Sequence, residues 1–563
     1  MRSFVTVYRA RPIAAVLFLL WLSFLARGLW YCAIAPAWEG YDEPFHFAYL
    51  QHVAAGQGLP QATTPVSLEV ENSLHLLPIP WELQFQRIPP PLTTYDDYWR
   101  MSTEERSRRE TALRALPPDQ GSQPANEPIA NYEAQQAPLY YWLFALPGRW
   151  LAGLPLLSRL FALRMLNVLL ASAVVPLSYL VSQAALGDKA VALSTTALLT
   201  LLPELMINVA RVSNESLALL CFTLVLLFTL RAAAEPQRWM WWLLLGAALG
   251  CGLLTKAYFL TAIPALAIVA LYCVWSNGFP GARSPGRRAL AARICAALIV
   301  VFAIAGRRYL RVHAETGSWS GQGDDVALRG VSLAQKLAGV PHVNWKSGVV
   351  SVLLSHTWFG GWSFLRLPLV LYLASLAAII LAVAGVVTRL VRRQSQNPEE
   401  LRGISILGSF YVCFWGGLAY HVLITYLNQG VSASEGWYLY SLVAAEVVLL
   451  VWGLQAFLRA DVVLTGLSVG AALVDLYGVQ SLLLPYYTGL TAHVGKTVAP
   501  ALLRTLYSLP LVFARLAGNK PEWLGAPVLV TMWCLYLIAT VASVMVAGPA
   551  LFFQRGPRLP ARI

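Results

Sequence analysis

Two adjacent carboxylates, Asp42 and Glu43, stand just beyond the first long apolar run, in Trp38-Glu39-Gly40-Tyr41-Asp42-Glu43-Pro44-Phe45-His46-Phe47-Ala48-Tyr49. Side by side near a water–lipid boundary they are costly unless paired or used. A helix start also favours acids through its dipole, and Pro44 suits a first turn. A second group follows in Asn131-Tyr132-Glu133-Ala134-Gln135-Gln136-Ala137-Pro138-Leu139-Tyr140-Tyr141-Trp142. An aromatic belt accounts for Tyr140, Tyr141 and Trp142, but not for Tyr132, Glu133, Gln135 and Gln136. Further along come Arg159, Arg164 and Asn167, then Glu204, Asn208, Arg211, Asn214 and Glu215. Lys256 ends Gly252-Leu253-Leu254-Thr255-Lys256, and Arg307, Arg308, Tyr309, Arg311 and His313 end a later apolar run. Each alone could snorkel or cap a helix. Together they bring both signs of charge to one depth, which a shared polar site explains better.

Carboxylates facing Lys and Arg at a membrane surface suit transfer from a lipid-linked sugar phosphate. The cations would hold the phosphate and stabilise its developing charge. A carboxylate would take the proton from an acceptor hydroxyl attacking the anomeric carbon. Burial would raise that carboxylate's pKa and make it a better base. The lipid tail needs a groove between helices.

The elements that position these residues follow from composition. Of 563 residues, 57% are hydrophobic and only 12% charged, with a mean hydropathy of +0.58. Too little charge is present to cover a soluble surface. The expectation is an all-α integral membrane protein, which excludes a soluble enzyme, a nucleic-acid binder and a disulfide-stapled secreted domain. The net charge of +13 fits Arg-rich cytoplasmic loops. The seven cysteines lie in apolar runs without a C-x-x-C pair, against a disulfide framework or zinc site.

About twelve runs are long enough to cross a bilayer: 13–35, 163–186, 189–209, 214–232, 238–256, 258–276, 290–307, 366–390, 404–426, 437–457, 462–484 and 526–551. The first reads as a retained helix rather than a cleaved signal. Arg2, Arg9 and Arg11 precede it. Arg283, Arg287 and Arg288 precede the seventh run; Arg389, Arg392, Arg393 and Arg402 join the eighth and ninth; Arg555, Arg558 and Arg562 follow the last. An even count puts all of them on one side, so both termini are expected in the cytoplasm of a plasma (inner) membrane protein. Residues 138–152 are apolar but short and hold Pro147 and Gly148, so an interfacial or re-entrant helix is expected there.

The organisation is then 1–35, N-terminus and first span; 36–162, a first extracytoplasmic loop with the acidic motif; 163–307, spans two to seven; 308–365, a second loop; 366–484, spans eight to eleven; 485–525, a third outer segment; and 526–563, the last span and C-terminus. In the first loop Ser102 and Glu105 are spaced as a capping box for a helix over 103–115. Tyr486, Tyr487, His493, Lys496 and Arg504 could make 485–525 an acceptor lid, although an amphipathic helix on the membrane surface suits it better. No internal repeat is evident, which argues against an inverted-repeat transporter.

Asp42-Glu43 followed by His46, Tyr49 and Gly58-Leu59-Pro60 resembles the first outer loop of the GT-C membrane glycosyltransferases, in particular the protein O-mannosyltransferase and aminoarabinose-transferase branch. Tyr132 to Trp142 resembles that branch's second motif, and Leu254-Thr255-Lys256 its Leu-Thr-Lys motif. The resemblance covers roughly residues 10–315. Gly360-Gly361-Trp362 and Glu435-Gly436-Trp437-Tyr438 are similar to segments of a related group of bacterial membrane proteins. The resemblance implies a GT-C fold, a polyprenyl-phosphate sugar donor and an acceptor that is a glycan, lipid or protein. It implies Asp42 as catalytic base with Glu43 its neighbour, and Lys256 on the lipid phosphate, with Arg307, Arg308 or Arg311 as a second contact. Two positions depart from the pattern. Gln136-Ala137-Pro138 replaces a Lys-Pro-Pro, and Gly436-Trp437-Tyr438 replaces a Gly-Arg-Tyr.

The substrate-binding set is expected among His46, Tyr49, Tyr132, Glu133, Gln135, Gln136, Arg164, Asn208, Arg211, Asn214, Lys256, Arg307, Arg308 and Arg311. No metal is demanded, although Asp42, Glu43, His46 and Glu133 could bind a divalent ion. Other functions remain open. A transporter or flippase of lipid-linked glycans should place its ionisable groups at mid-membrane rather than at one end. A glycan polymerase or ligase would also use outer-face Arg, but the early Asp-Glu pair favours transfer.

Overall fold

The structure is a computed structural model that describes residues 12–86, 88–127, 129–275, 286–392, 397–494 and 497–548. Arg2, Arg9, Arg11, Arg283, Arg393, Lys496, Arg555, Arg558 and Arg562 lie outside the described residues. The protein is an all-α, multi-pass membrane protein. Among the described residues, nine helices are long and apolar enough to span a bilayer, with a tenth formed by the bent pair Lys189–Leu201 and Pro203–Val209. Two shorter apolar helices, Trp239–Leu253 and Ala257–Cys273, stand where the fifth and sixth spans were expected. Two short two-stranded pairings, Pro78–Ile79 with Thr93–Thr94 and His493–Val494 with Thr497–Val498, pin the loops.

The bend has a polar cause. Pro203 cannot donate a backbone hydrogen bond, and the chain turns by 65° there. The carbonyls of Thr200 and Leu201 accept instead from the Arg27 guanidinium in the first span. Arg27 is fully buried and paired with Asp475 at 2.8 Å. Asp475 also accepts from the hydroxyls of Tyr31 (2.5 Å) and Tyr536 (2.7 Å). A charge inside a bilayer persists when it is paired and satisfies broken backbone, and this cluster ties the first, third, eleventh and last spans together.

Helix Leu139–Leu151 falls short of the spanning helices in length and holds Pro147 inside it. Thirteen residues reach about 20 Å, short of a hydrocarbon core of about 30 Å. One face packs on helix Glu43–Ala54, where Tyr141 stacks on Tyr49 at 3.5 Å. Trp142, Leu143, Leu146 and Trp150 are exposed on the other face, which suits the interface.

Helix Thr103–Arg114 forms as expected, with Ser102 Oγ accepting from the Glu105 N–H at 3.2 Å. Glu105 turns away from the reciprocal bond because Arg108 and Arg109 hold its carboxylate. The seventh span runs further than expected. Arg287–Val301 continues through a π-helical turn, Phe302–Gly306, into Arg307–Thr316. Residues 308–316 are therefore helix rather than loop. The third outer segment is packed rather than lid-like at its start: Tyr486 and Tyr487 are buried against Tyr95. His493 lies within 3.3 Å of Asp96, and Arg504 donates to the Leu490 carbonyl at 2.6 Å.

Candidate active site

The site forms where the first-loop segment 36–43 threads between the ends of the spans. Asp42 precedes helix Glu43–Ala54 with φ 58° and ψ 9°, a left-handed conformation that is strained for a residue with a Cβ. Its carboxylate makes no cap bond to that helix. It accepts instead from the Tyr132 hydroxyl, whose ring leans on Phe45 at 4.3 Å. The backbone that holds this pose is fastened on every side. Tyr41 stacks flat on Trp437 at 3.8 Å, its hydroxyl donates to Glu204 at 2.6 Å, and its carbonyl accepts from Arg211 at 2.6 Å. Glu39 accepts from the backbone and hydroxyl of Ser363, both at 2.9 Å.

The two glycine-containing segments of the sequence supply these fastenings. Gly361 has φ +77°, and a Cβ there would lie 2.6 Å from a Glu39 carboxylate oxygen. Gly436 leaves no room for a Cβ, which would lie 1.9 Å from the Val352 carbonyl. Close backbone approach, rather than flexibility, is the role of Gly436. His356 accepts or donates to Glu446 at 2.6 Å behind this turn, and so anchors it.

Asp42 opens on a cavity of about 760 Å³. Tyr132, Glu133, Gln135 and Gln136 line its near side, and Glu435, Trp437 and Tyr438 face them. The far wall carries Arg366 and the serines 347, 351 and 355, spaced one helical turn apart. One carboxylate oxygen of Glu435 is buried without a partner.

Beside this cavity sits the cationic group. Lys256 pairs with Glu215, which also accepts from the Tyr258 hydroxyl at 2.9 Å. The ammonium lies 4.9 Å from the Tyr438 ring centroid. Asn214 reaches Gln136 at 3.3 Å and the Thr255 carbonyl at 3.2 Å. Arg308 donates to the carbonyls of Gln135 and Gln136 at 3.0 and 3.1 Å. Arg307 and Arg311 are exposed, and Arg311 pairs with Glu315 at 2.7 Å. Of the three arginines, Arg308 alone is directed to the site.

Other residues singled out in the sequence fall elsewhere. Glu43 is fully buried and does not line the cavity. Arg164 holds both its oxygens, at 2.7 and 2.5 Å, and the Val212 N–H adds a third bond. The remaining Arg164 donors reach the carbonyls of Ala35 and Pro36. This pair staples the loop to the second span and to the turn before the fourth. Asn208 and Arg211 bond each other at 2.5 Å and support Tyr41. Tyr49 donates to the Gln136 carbonyl at 3.4 Å and buttresses the motif from behind. Glu82, Arg366 and Tyr258 belong to the site's surroundings but carry no sequence signal beyond Tyr258 lying two residues after Lys256.

Asp42, His46 and Glu133 each bring one ligand atom within 4.8 Å of the others. His46 Nδ1 lies 3.5 Å from Glu133 and 2.7 Å from the Tyr141 hydroxyl. That Glu133 oxygen is buried without a hydrogen-bond partner, so the trio has the donors to hold a divalent ion. Burial pushes Glu133 up to about 8, with nearby Asp42 adding to the shift. Burial, helped by Lys256 and Arg211, pushes His46 well below its usual range and keeps it neutral. Burial raises Asp42, opposed by the Tyr132 hydroxyl and by the charges of Arg211 and Lys256.

Residues 150–316 match the family model described as dolichyl-phosphate-mannose-protein mannosyltransferase. The recognition drawn from the motifs and this match therefore agree on a glycosyltransferase family. The matched segment holds Arg164, Arg211, Lys256 and Arg308; Asp42 and Tyr132 precede it. No curated protein matches the chain. Among solved structures, ArnT from Cupriavidus metallidurans bound to undecaprenyl phosphate is 12% identical with a TM-score of 0.44, over 96% of this chain and 77% of that one. An oligosaccharyltransferase from Archaeoglobus fulgidus tethered with an acceptor peptide is 12% identical with a TM-score of 0.40, over 97% and 56%. The A. fulgidus oligosaccharyltransferase AglB in complex with an inhibitory peptide and a dolichol-phosphate is 11% identical with a TM-score of 0.39, over 95% and 56%.

Proposed function

We propose that this protein transfers a sugar from a polyprenyl-phosphate donor to an acceptor hydroxyl at the extracytoplasmic face, with Asp42 as general base. The observation that carries the reading is Asp42 itself: its backbone is held in the left-handed region, and its carboxylate lines the 760 Å³ cavity unpaired with any cation within 4 Å among the described residues. Unusual backbone held by surrounding contacts clusters at functional sites.

In the proposed step the acceptor oxygen bonds to the anomeric carbon as the bond from that carbon to the phosphate oxygen breaks. The hydroxyl proton passes to Asp42, and the electron pair leaves with polyprenyl phosphate. In this reading Lys256 and Arg308, which stand beside the cavity rather than in its lining, take up the developing phosphate charge. For Lys256 this requires its ammonium to be shared between Glu215 and the ligand. His46, held neutral, and Glu133 shape the wall beside the base. A divalent ion at Asp42, His46 and Glu133 would add Lewis-acid stabilisation of the phosphate when bound. The positive-inside distribution supports cytoplasmic termini and an outward-facing site.

Asp42→Asn tests the assignment. The amide keeps the shape but cannot accept the proton, so transfer should fall by about 10²–10⁴-fold while the protein still inserts and unfolds at an unchanged Tm. A variant that keeps full transfer activity would remove Asp42 from the role. As a comparison, Glu43→Gln should lower stability first, because it leaves the buried Arg164 charge uncompensated.

A further inference from the structure

A second cavity, of about 220 Å³, lies in the outer layer between helix Thr103–Arg114 and the segment around helix Leu509–Leu516. Three cations line it: Arg106, Arg515 and Lys520. Arg106 and Arg515 both stack over the Trp99 ring, at 5.2 and 4.9 Å. None of the three has a carboxylate within 4 Å among the described residues. Their donors reach only neutral groups. Arg106 donates to Met101 O at 2.8 Å, Trp99 O at 3.4 Å and Thr103 Oγ1 at 3.3 Å; Arg515 to Thr488 O at 2.8 Å; and Lys520 to Ala35 O at 2.6 Å. The one acid in the lining, Glu110, is held by Arg114 at 2.7 Å.

Arg106 and Arg515 are half-buried, and like charges lining one space without a carboxylate partner repel each other. Arg515 shows this, its charged form being disfavoured by burial and by Arg106. Lys520 is 5% exposed, and burial together with Arg164 pushes its ammonium well down. An oxyanion would neutralise Arg106 and Arg515 and favour the charged form of Lys520. Tyr98 and Asn519, bonded to each other at 3.0 Å, add neutral donors to the rim.

We propose that this cavity is an oxyanion site, separate from the Asp42 cavity, that takes the phosphate of an anionic phospholipid headgroup. The neighbouring helices favour a lipid source over a soluble one. Leu502, Leu503, Leu506, Tyr507 and Leu511 are exposed along Leu502–Tyr507 and Leu509–Leu516. Such a face lies on a bilayer surface and brings Arg515 to headgroup depth.

Native mass spectrometry of the full-length protein in neutral detergent tests the site. Phosphatidylglycerol and phosphatidylcholine are added in equal amounts, with inorganic phosphate as competitor. The wild type should retain phosphatidylglycerol at least tenfold over phosphatidylcholine. Arg106→Gln with Arg515→Gln should bring the two lipids to parity, whereas Arg108→Gln, on the same helix but paired with Glu105, should not. The charge-preserving pair Arg106→Lys and Arg515→Lys should keep most of the preference, which separates loss of the site from loss of fold. Retention of inorganic phosphate without phosphatidylglycerol would keep the oxyanion site but contradict its lipid source. A wild type that prefers neither anion, or a preference that survives in the double Gln variant, would overturn the proposal.

Discussion

Asp42 shows how one carboxylate becomes chemically distinct from its neighbour. Asp42 and Glu43 are adjacent in sequence, yet Glu43 is locked by Arg164 and a backbone N–H while Asp42 faces the cavity with one hydroxyl for company. Sequence alone offered both as candidates, because spacing cannot show which of two adjacent acids a left-handed turn will expose. The same limit applied to Arg307, Arg308 and Arg311, which share one helix and of which Arg308 reaches the Gln135 and Gln136 carbonyls. Burial raises Asp42, and the Tyr132 hydroxyl opposes that by stabilising the ionised form. A general base works deprotonated, so transfer should fall as pH drops through this raised value. Tyr132→Phe removes the opposing hydrogen bond and raises Asp42 further. The acid limb of the pH–rate profile should therefore move to higher pH by about one unit, the scale of a hydrogen bond to a charged group. A limb that stays in place or moves to lower pH would contradict the role given to Tyr132.

At the scale of elements, the site depends on segments far from it in sequence. Gly360-Gly361-Trp362-Ser363 cradles Glu39, and Glu435-Gly436-Trp437-Tyr438 supplies the platform on which Tyr41 stacks. Both were legible as motifs, but their function as supports was not, since a contact across more than 300 residues leaves no local pattern. Gly436→Ala should be disruptive although Ala is small. Its Cβ would strike the Val352 carbonyl at 1.9 Å and His356 Cβ at 2.8 Å. Overpacking of this kind costs about 1–3 kcal/mol, and relieving it must move Trp437. A lowered Tm with a larger loss in kcat than in donor binding is expected. An unchanged Tm and kcat would show that the turn can relax freely. The short length of helix Leu139–Leu151 was readable from the sequence, because hydrophobic length is a one-dimensional property.

For the whole molecule, the span series followed from hydropathy, whereas the cluster of Arg27, Asp475, Tyr31 and Tyr536 did not. Neither charge stands in a motif, and only tertiary packing pairs residues 448 positions apart. The orientation inferred from the basic loops makes a direct prediction. In a cysteine-depleted background, Ser122→Cys should react with a membrane-impermeant thiol reagent in intact cells. Lys189→Cys should react only after permeabilisation. The reverse pattern would invert the topology and move the Asp42 cavity to the cytoplasmic face.

The central claim is donor chemistry at Asp42, and mass spectrometry of lipid products tests it most directly. Purified wild type and Asp42→Asn protein are incubated with a pooled extract of polyprenyl-phosphate sugars and candidate acceptors, and free polyprenyl phosphate is followed. The account predicts release by the wild type alone, with the consumed lipid identifying the sugar. Equal release by Asp42→Asn would contradict the base assignment, and donor bound but never consumed by the wild type with any acceptor would contradict glycosyl transfer itself.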